Sequence, residues 1–223
     1  MKAKVICLVG ASGSGKDTIK NLLPLPHVVS YRTREMRQGE RNEIDGLFVD
    51  EATYEQHRQS GIIAASTFYN DNHYWTTISQ FKCVVENESP IVYVVDWNGV
   101  ETLRQALGED KVVSIFIDVP LYILVSRMVQ RGDSKEAIAQ RKAIFEVVDM
   151  PAKEKCDYVV SNVLSPTYAA KEISLIILQE MFGVVKRGKK EYIEDYIFGI
   201  DYAKDPKLKF EKEYECKWTG DQD

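Results

Sequence analysis

The fold is decided by one stretch near the start of the chain, residues 5–18, in which Val5-Ile6-Cys7-Leu8-Val9 is followed by Gly10-Ala11-Ser12-Gly13-Ser14-Gly15-Lys16-Asp17-Thr18. The apolar run predicts a buried strand, and the segment after it, Ile19 to Leu23, predicts a helix. Three glycines let the backbone curl so that several N–H groups point into one cavity at the positive end of that helix. Lys16 adds a mobile charge suited to the β- and γ-phosphates of a nucleotide. The stretch therefore predicts a phosphate-binding loop.

One position of this loop departs from the usual pattern. The pattern G-x-x-x-x-G-K-[ST] has a hydroxyl directly after the lysine, where it binds Mg²⁺. Here Asp17 takes that place and Thr18 follows. A carboxylate is also a hard oxygen ligand, so we expect Asp17 to hold Mg²⁺ directly or through water. The alternative, an ordinary glycine turn, is disfavoured by the strand before the loop and by Lys16.

The composition limits the kind of protein this can be. The chain has 223 residues, of which 44% are hydrophobic, which suits one domain with insertions or one domain plus an appendage. The net charge of −5, from 29 basic and 34 acidic residues, disfavours a dedicated nucleic-acid binder. The four cysteines are widely separated and indicate reduced thiols of a cytoplasmic protein without a zinc site. No apolar run approaches about 18 residues and no signal peptide precedes the first strand, so neither membrane insertion nor secretion is expected.

Strand-like and helix-like segments alternate along most of the chain. Apolar runs predict strands, and amphipathic stretches between them predict helices. This alternation predicts an α/β fold with a parallel sheet, which binds ligands at the carboxyl ends of its strands. The predicted strands are Val5–Val9, Ile91–Val95, Val112–Ile117 and Tyr158–Val160, and the later predicted helices are Val100–Leu107, Leu121–Arg131, Lys135–Val148 and Ala169–Phe182.

Three segments break the alternation. Residues 30–80 are polar and too long for a structureless loop, so they predict a small inserted subdomain. Residues 132–148, which begin with Gly132-Asp133-Ser134, are also polar. Residues 183–223 are of mixed charge and rich in aromatic side chains, which is unusual for a disordered tail, and their role is not indicated.

A cluster of arginines opens the predicted subdomain. The segment Arg32-Thr33-Arg34-Glu35-Met36-Arg37-Gln38-Gly39-Glu40 places three guanidinium groups within six residues. Planar guanidinium groups form paired, charge-assisted hydrogen bonds with phosphate oxygens. We expect Arg34 and Arg37 to contact phosphate, and Arg32 to belong to a solvated surface or a structural ion pair.

With these residues the chain resembles the guanylate kinases over roughly residues 4–182. The resemblance rests on motifs in the family's order and near its spacings: the phosphate loop, Ser30, Thr33-Arg34, Arg37-x-Gly39-Glu40, Phe48-Val49, Phe68, Asn72-His73-Tyr74-x-Thr76, Asp96-Trp97-Asn98-Gly99, Arg131-Gly132-Asp133-Ser134, Arg141, and Asp157-Tyr158-Val159-Val160-x-Asn162. It implies the three-layer fold of P-loop NTPases with a parallel sheet, an inserted nucleoside monophosphate (NMP)-binding subdomain at residues 30–80 and a short lid at 127–148. The guanylate-kinase-like domain would span residues 1–182, with 183–223 as a C-terminal extension.

The resemblance also implies roles for individual residues. The catalytic residues would be Lys16, Arg34, Arg131 and Arg141, with the last two closing over the transferring phosphoryl group. ATP would be bound by Gly10, Ser12, Gly13, Ser14, Gly15, Lys16, Asp17, Thr18 and, at the adenine, Asn162. The acceptor would be bound by Ser30, Arg34, Arg37, Tyr74, Thr76 and Asp96, and the metal by Asp17.

Several positions depart from the family, and they bear on the acceptor. Ala64 and Val94 stand where the family has carboxylates that read guanine, and neither can accept hydrogen bonds from the base. Gly46 replaces a tyrosine that contacts the acceptor phosphate, and Trp75 replaces a glycine. The donor side therefore matches the family, whereas the base-reading contacts are altered.

The resemblance implies a nucleoside monophosphate kinase that uses ATP and Mg²⁺ and phosphorylates GMP or dGMP. One alternative is a kinase of the same family with a shifted acceptor, either another or modified deoxynucleotide or ribose 1,5-bisphosphate. Another is an inactive protein-binding module, which Lys16 and the lid arginines disfavour. The expected partners are small-molecule nucleotides, with no nucleic acid and no membrane; a homodimer is left open.

Overall fold

The structure is a computed structural model that describes residues 3–182 apart from 38, 70 and 87, and only the backbone of Tyr69, Arg131 and Ala137. The extension predicted at residues 183–223 lies outside the described residues. The α-helices of the described residues are α1 (Lys16–Leu22), α2 (Glu51–Gln59), α3 (Lys82–Val85), α4 (Trp97–Leu107), α5 (Leu121–Arg131), α6 (Lys135–Ile144), α7 (Met150–Lys155) and α8 (Pro166–Phe182). The strands are β1 (Val5–Val9), β2 (Tyr31–Arg32), β3 (Leu47–Phe48), β4 (Ile63–Tyr69), β5 (Asn72–Thr77), β6 (Ile91–Val94), β7 (Val112–Asp118) and β8 (Tyr158–Ser161).

A four-stranded parallel sheet forms the centre of the protein, in the order β6-β1-β7-β8. All five residues of β1 are buried, which explains why that segment is uniformly apolar rather than alternating. On one face, Val5 and Cys7 pack with Val100 and Leu103 of α4. On the other face, α1 lies against β1 and packs on α8. Helices therefore cover both faces, and the predicted α/β class with a parallel sheet is confirmed.

Residues 30–80 fold into a second, mixed sheet in the order β3-β2-β5-β4, with α2 packed against β5. Two of its strands have only two residues each, so the sequence pattern shows no periodicity there. Asp50 caps the start of α2 by accepting a hydrogen bond from the Thr53 amide at 2.9 Å. The hydroxyl of Thr67 in β4 donates to Asp96 at 2.7 Å, which joins the second sheet to the carboxyl edge of the first.

An aromatic cluster lies between α2 and the second sheet. Trp75 of β5 is fully buried and stacks on Tyr31 of β2, with ring centroids 5.2 Å apart. Tyr54 of α2 meets the same indole edge-on at 5.0 Å, and the indole N–H donates to Nδ1 of His57 at 3.1 Å. Trp75 thus fills the interior of the subdomain, where the family has glycine.

The segment after β7 differs from the sequence prediction at one place. The pattern predicts one helix over Lys135–Val148, but α6 ends at Ile144 and a π-helical turn follows at Phe145–Asp149. Such turns insert an extra residue in a helix and often occur at functional sites. Among residues 3–182, with the gaps stated above, none of the helices is both long and apolar enough to cross a membrane.

Candidate functional site

The phosphate loop needs its glycines for both conformation and space. Gly13 and Gly15 have φ angles of 83° and 90°, in the left-handed region that side chains disfavour. A Cβ at Gly15 would lie 2.5 Å from Nδ2 of Asn162. A Cβ at Gly10 would lie 2.8 Å from the carbonyl oxygen of Ile117 in β7. The loop is therefore packed tightly on the carboxyl ends of the central strands.

The side chains of Asn162 and Arg127 donate hydrogen bonds that fix the backbone of the loop. Asn162, which is 1% exposed, donates from Nδ2 to the Ser14 carbonyl at 2.7 Å. Arg127 of α5 donates to the Gly13 carbonyl and to the Asn162 carbonyl, both at 3.0 Å. Because a trans peptide is planar, fixing the Ser14 carbonyl makes the Gly15 N–H point the opposite way. The adenine contact predicted for Asn162 remains a prediction, since its amide here supports the loop.

Sequence reasoning missed Arg127. The available signal was its spacing of four residues from Arg131 on the same predicted helix, which places both on one helix face.

The amino group of Lys16 lies within the loop. It donates to the carbonyl oxygens of Gly10 at 2.7 Å and Ala11 at 2.8 Å. Burial lowers the pKa of Lys16 from 10.5 to about 8, while the neighbouring carboxylates of Asp17 and Asp149 act in the opposite direction. A buried ammonium group held by neutral carbonyls has a strong attraction for a phosphate anion.

Asp17 lies on the first turn of α1. Its side chain is 80% exposed and 3.4 Å from the Lys20 ammonium group. Among the described residues there is no group of three His, Cys, Asp or Glu side chains that could hold a metal ion. Mg²⁺ is commonly bound by one or two carboxylates together with substrate phosphates and water, so the single Asp17 carboxylate fits that habit. The hydroxyl residues of the loop differ in exposure: Ser14 is fully buried, while Ser12 and Thr18 are exposed.

Arg141 of α6 lies near the loop. One of its terminal nitrogens donates to Asp149, in the π-helical turn, at 2.5 Å, and its Nε is buried without a hydrogen-bond partner. Both groups act electrostatically on Lys16, Asp149 raising the pKa of the lysine and Arg141 lowering it. The side chain of Arg131, the other predicted lid arginine, lies outside what the structure describes. Asp149 was missed because the sequence predicted an uninterrupted helix there.

On the second sheet, Arg34 and Glu40 form a bidentate ion pair. The two terminal nitrogens of Arg34 donate to the two Glu40 oxygens at 2.6 and 2.7 Å. The Arg37 amide donates to the same carboxylate at 2.8 Å. Arg34 and these bonds lower the pKa of Glu40 to about 2, and Glu40 with Tyr74 raises the pKa of Arg34. Glu40 thus fixes the direction of the Arg34 guanidinium group.

The remaining predicted acceptor residues have differing exposures. The Arg37 side chain is exposed beside a tight turn in which the Glu40 amide donates to the Arg37 carbonyl at 3.0 Å. Ser30 and Tyr74 are half-buried, and Thr76 is fully buried. The structure therefore brings Arg34 and Tyr74 together, while Arg37 faces solvent.

No carboxylate lies at the positions where the family reads guanine. Ala64 and its neighbour Ala65 are 0% and 1% exposed, so a one-residue shift in alignment still gives a buried alanine. Val94 is half-buried at the end of β6. Asp96 follows Val94 by two residues and is bonded to β4, the strand that contains Ala64: it caps α4 by accepting from the Gly99 amide at 2.8 Å, and its other oxygen accepts from Thr67 in β4.

Arg32 does not lie on a solvated surface. Its side chain is 21% exposed, and its closest carboxylate oxygen, on Glu40, is 3.9 Å away. Asp17 of α1 and Tyr74 of β5 are among the groups that act on its pKa, which burial lowers. Arg32 is therefore a largely buried cation of β2 with a long ion pair to Glu40.

Comparisons with known proteins identify relatives of this chain. Residues 2–170 match the family model described as guanylate kinase. The guanylate kinase of Mycoplasmopsis pulmonis is 31% identical over 195 residues, covering 82% of this chain and 97% of that protein. The guanylate kinase of Chromohalobacter salexigens is 31% identical over 168 residues, covering 72% and 77%. The crystal structure of guanylate kinase from Anaplasma phagocytophilum shares the fold, with a TM-score of 0.61 and 23% identity over 81% of this chain and 87% of that one.

Proposed function

Because the chain belongs to the guanylate kinase family, and is therefore a phosphotransferase that acts on nucleoside monophosphates, we propose that it transfers the γ-phosphoryl group of ATP to GMP or dGMP. One observation carries the proposal. The phosphate loop packs on the carboxyl ends of the central strands, and the Thr67–Asp96 hydrogen bond joins the second sheet, which carries the arginines, to that same edge. Two anion-binding sites so placed suit transfer between two phosphate groups.

On the donor side, Lys16 and the loop amides would bind the ATP phosphates. The lysine would exchange the carbonyls of Gly10 and Ala11 for phosphate oxygens. Mg²⁺, held by Asp17 and the phosphates, would neutralise part of the phosphate charge. Phosphoryl transfer needs little covalent help from the protein, so this alignment and neutralisation supply most of what the chain contributes.

At the migrating phosphoryl group, Arg141 would supply positive charge. Its Nε has no partner, and its terminal nitrogen is oriented by Asp149. Arg131 would act with it from the other end of the lid. Charge placed where negative charge develops in the transition state is worth more in a site that excludes water.

On the acceptor side, Arg34 would hold the monophosphate, oriented by Glu40 and joined by Tyr74 and Arg37. Ser30 and Thr76 would lie near the base. Asp96 would accept hydrogen bonds from the N1 and N2 donors of guanine, because each carboxylate oxygen retains a free lone pair after bonding Gly99 or Thr67.

An assay of ATP-dependent ADP release tests the proposal. GMP and dGMP would be compared with the other ribo- and deoxynucleoside monophosphates and with ribose 1,5-bisphosphate, all with Mg²⁺. We expect the highest kcat/KM for GMP or dGMP. Lys16→Met is the control for contaminating kinases, since a variant lacking the phosphate-binding charge has to lose the activity.

The same panel tests a second candidate, a shifted acceptor. The observation that favours it is the pair of buried alanines, Ala64 and Ala65, together with the half-buried Val94, whose side chains offer a base no hydrogen-bond acceptor. Turnover with another nucleotide or with the sugar bisphosphate, and none with GMP or dGMP, would overturn the guanine proposal while leaving the kinase assignment intact.

A further inference from the structure

Two arginines of the second sheet share one carboxylate. Both oxygens of Glu40 accept from Arg34, and one also accepts from the Arg37 amide. Arg32 is left with a 3.9 Å approach to Glu40 and a 3.4 Å hydrogen bond to the Ser30 hydroxyl. Its Nε is buried and has no hydrogen-bond partner among the residues that the structure describes. The positive charge of Arg32 is thus only partly neutralised, although the side chain is largely removed from water.

Gly46 creates the space in which this arginine lies. A Cβ on Gly46 would be 2.5 Å from Nε of Arg32, 2.9 Å from its Cδ and 3.0 Å from its Cζ. Gly46 is not among the glycines with positive φ, so an alanine could adopt its backbone conformation. Space, and not backbone freedom, is therefore what glycine provides here.

The surroundings of Arg32 fix its guanidinium group and give it a direction. The guanidinium carbons of Arg32 and Arg34 lie over the Phe48 ring, 5.5 Å and 5.1 Å from its centroid. Arg32 interacts electrostatically with Asp17, Tyr74 and, in the central sheet, Tyr93. Arg32 and Arg34 approach the same Glu40 oxygen, at 3.9 and 2.6 Å, so their guanidinium groups lie side by side on the acceptor side of the site.

We propose that Arg32 is a ligand of the acceptor's phosphate, a third guanidinium group that Gly46 admits to the site beside Arg34. The assignment rests on the proposed function, because it needs a phosphorylated acceptor in this region. A phosphate dianion there would give the buried Nε a partner and balance the two guanidinium groups that share Glu40. Replacing Arg32 should therefore weaken the binding of the acceptor and leave that of ATP unchanged.

The test is steady-state kinetics of Arg32→Gln against a matched control. Arg41→Gln also removes one arginine from the subdomain, but Arg41 is 70% exposed, with its Nε 3.7 Å from Asp45. We expect Arg32→Gln to raise the acceptor KM about 10- to 100-fold, the value of a charge-assisted hydrogen bond, with the ATP KM unchanged. Arg41→Gln should behave as the wild type.

Gly46→Ala provides a second, independent test. Its methyl group has to displace Arg32, so alone it should raise the acceptor KM as Arg32→Gln does. In the double variant Arg32→Gln/Gly46→Ala, the alanine should add little, because the side chain it displaces is gone. Fully additive effects would contradict the proposal.

Two outcomes distinguish failure of this proposal from failure of the proposed function. If Arg32→Gln lowers the melting temperature but leaves the acceptor KM unchanged, Arg32 has a structural role only and the proposal is wrong. If the wild type phosphorylates an acceptor other than GMP or dGMP, the guanine proposal fails, and the same variants measured with that acceptor still decide the role of Arg32.

Discussion

Two charged residues near the site have pKa values shifted for different reasons. Burial lowers the pKa of Lys16 to about 8, whereas the bidentate bond with Arg34 lowers that of Glu40 to about 2. The lowered pKa means that Lys16 loses its positive charge at a lower pH than an ordinary lysine. For Glu40, the lowered pKa means that the carboxylate keeps its negative charge at a lower pH than an ordinary glutamate. Lys16 should therefore respond to alkaline pH and Glu40 only to strong acid.

For Lys16, we predict that ATP affinity is constant below about pH 8 and falls by up to about tenfold per pH unit above it. The pKa in the folded protein lies below the ordinary value of 10.5, so the ammonium group that binds phosphate is lost as the pH rises through about 8. Calorimetric titration with Mg·ATP from pH 7 to 9.5 measures this. Lys16→Met should bind weakly with a flat profile, and an equally steep profile in that variant would assign the titration to another group.

For Glu40, we predict that Glu40→Gln raises the acceptor KM about tenfold, with little change in the ATP KM. The amide can no longer accept both Arg34 nitrogens, so the guanidinium group loses its fixed direction. Initial rates at varied acceptor and saturating ATP measure the effect. Glu55→Gln is the control, because Glu55 forms a similar arginine pair with Arg58 on the exposed face of α2.

The same variant has an effect on acid stability. The folded pKa of Glu40 lies below its ordinary value of 4.5, so its charge stabilises the protein above that pH and the gain is lost as the pH falls towards about 2. The difference in melting temperature between wild type and Glu40→Gln should shrink over this interval. A constant difference would mean that the pair contributes no charge-dependent stability.

Among the elements, the second sheet depends on an aromatic interior that its short strands cannot replace. We predict that Trp75→Gly lowers the free energy of unfolding by about 3–5 kcal/mol, because it removes a fully buried ring that contacts Tyr31 and Tyr54. Urea titration measures the change. Phe68→Ala, in the adjoining strand at a side chain 61% exposed, should change it by less than about 1 kcal/mol.

In α6, Arg141 is partly buried, whereas the next residue, Lys142, is exposed. We predict that Arg141→Met lowers kcat by about 100-fold or more with a smaller change in the ATP KM, since its charge acts mainly on the transition state. Lys142→Met removes an exposed charge from the next position of the same helix and should leave kcat unchanged. Equal losses in both variants would show a general electrostatic effect of the helix.

The central elements could be predicted from the sequence, and the second sheet could not. The apolar runs of β1 and β7 are buried on both faces, which is a local property visible in composition. By contrast, β2 and β3 have two residues each and exist only through pairing, β2 with β5 and β3 with β2. The π-helical turn at Phe145–Asp149 has no local signature either, so Asp149 and its bond to Arg141 were not foreseen.

The site shows the same division. The loop glycines, Lys16 and Arg34 belong to dense local motifs, so the sequence was enough to predict roles for them. Arg127 acts through a bond to a loop more than 100 residues away, which local patterns do not reveal. Arg32 was expected on a solvated surface or in an ion pair: it forms a 3.9 Å ion pair with Glu40, but its burial was not foreseen, because the sequence does not show that a glycine 14 positions later makes room for it.

At the scale of the whole molecule, the described unit is tied together from its first strand to its last helix. Lys4, next to β1, bonds Glu180 of α8 at 2.7 Å, and Glu180 also accepts from the Tyr158 hydroxyl of β8 at 2.5 Å. The element that ends at Phe182 is thus anchored on the central sheet. We therefore propose that residues 1–182 fold without the rest of the chain.

We predict that the chain truncated after Phe182 keeps kinase activity and melts within about 2–4 °C of the full chain, the change that about 1 kcal/mol produces in a domain of this size. Scanning calorimetry and the ADP-release assay measure the two properties. A larger loss of stability would mean that residues 183–223 belong to the folded domain. Loss of activity alone would mean that they contribute to the site.

The hydrogen bonds that Arg127 and Asn162 donate to the phosphate loop affect the entropy cost of nucleotide binding. Ordering a flexible backbone costs about 1–2 kcal/mol per residue, and a glycine-rich loop loses more freedom than most. Here the carbonyls of Gly13 and Ser14 are already fixed by the body of the protein. A nucleotide therefore meets a loop whose freedom was lost during folding, and its binding energy is available for holding the phosphates in line.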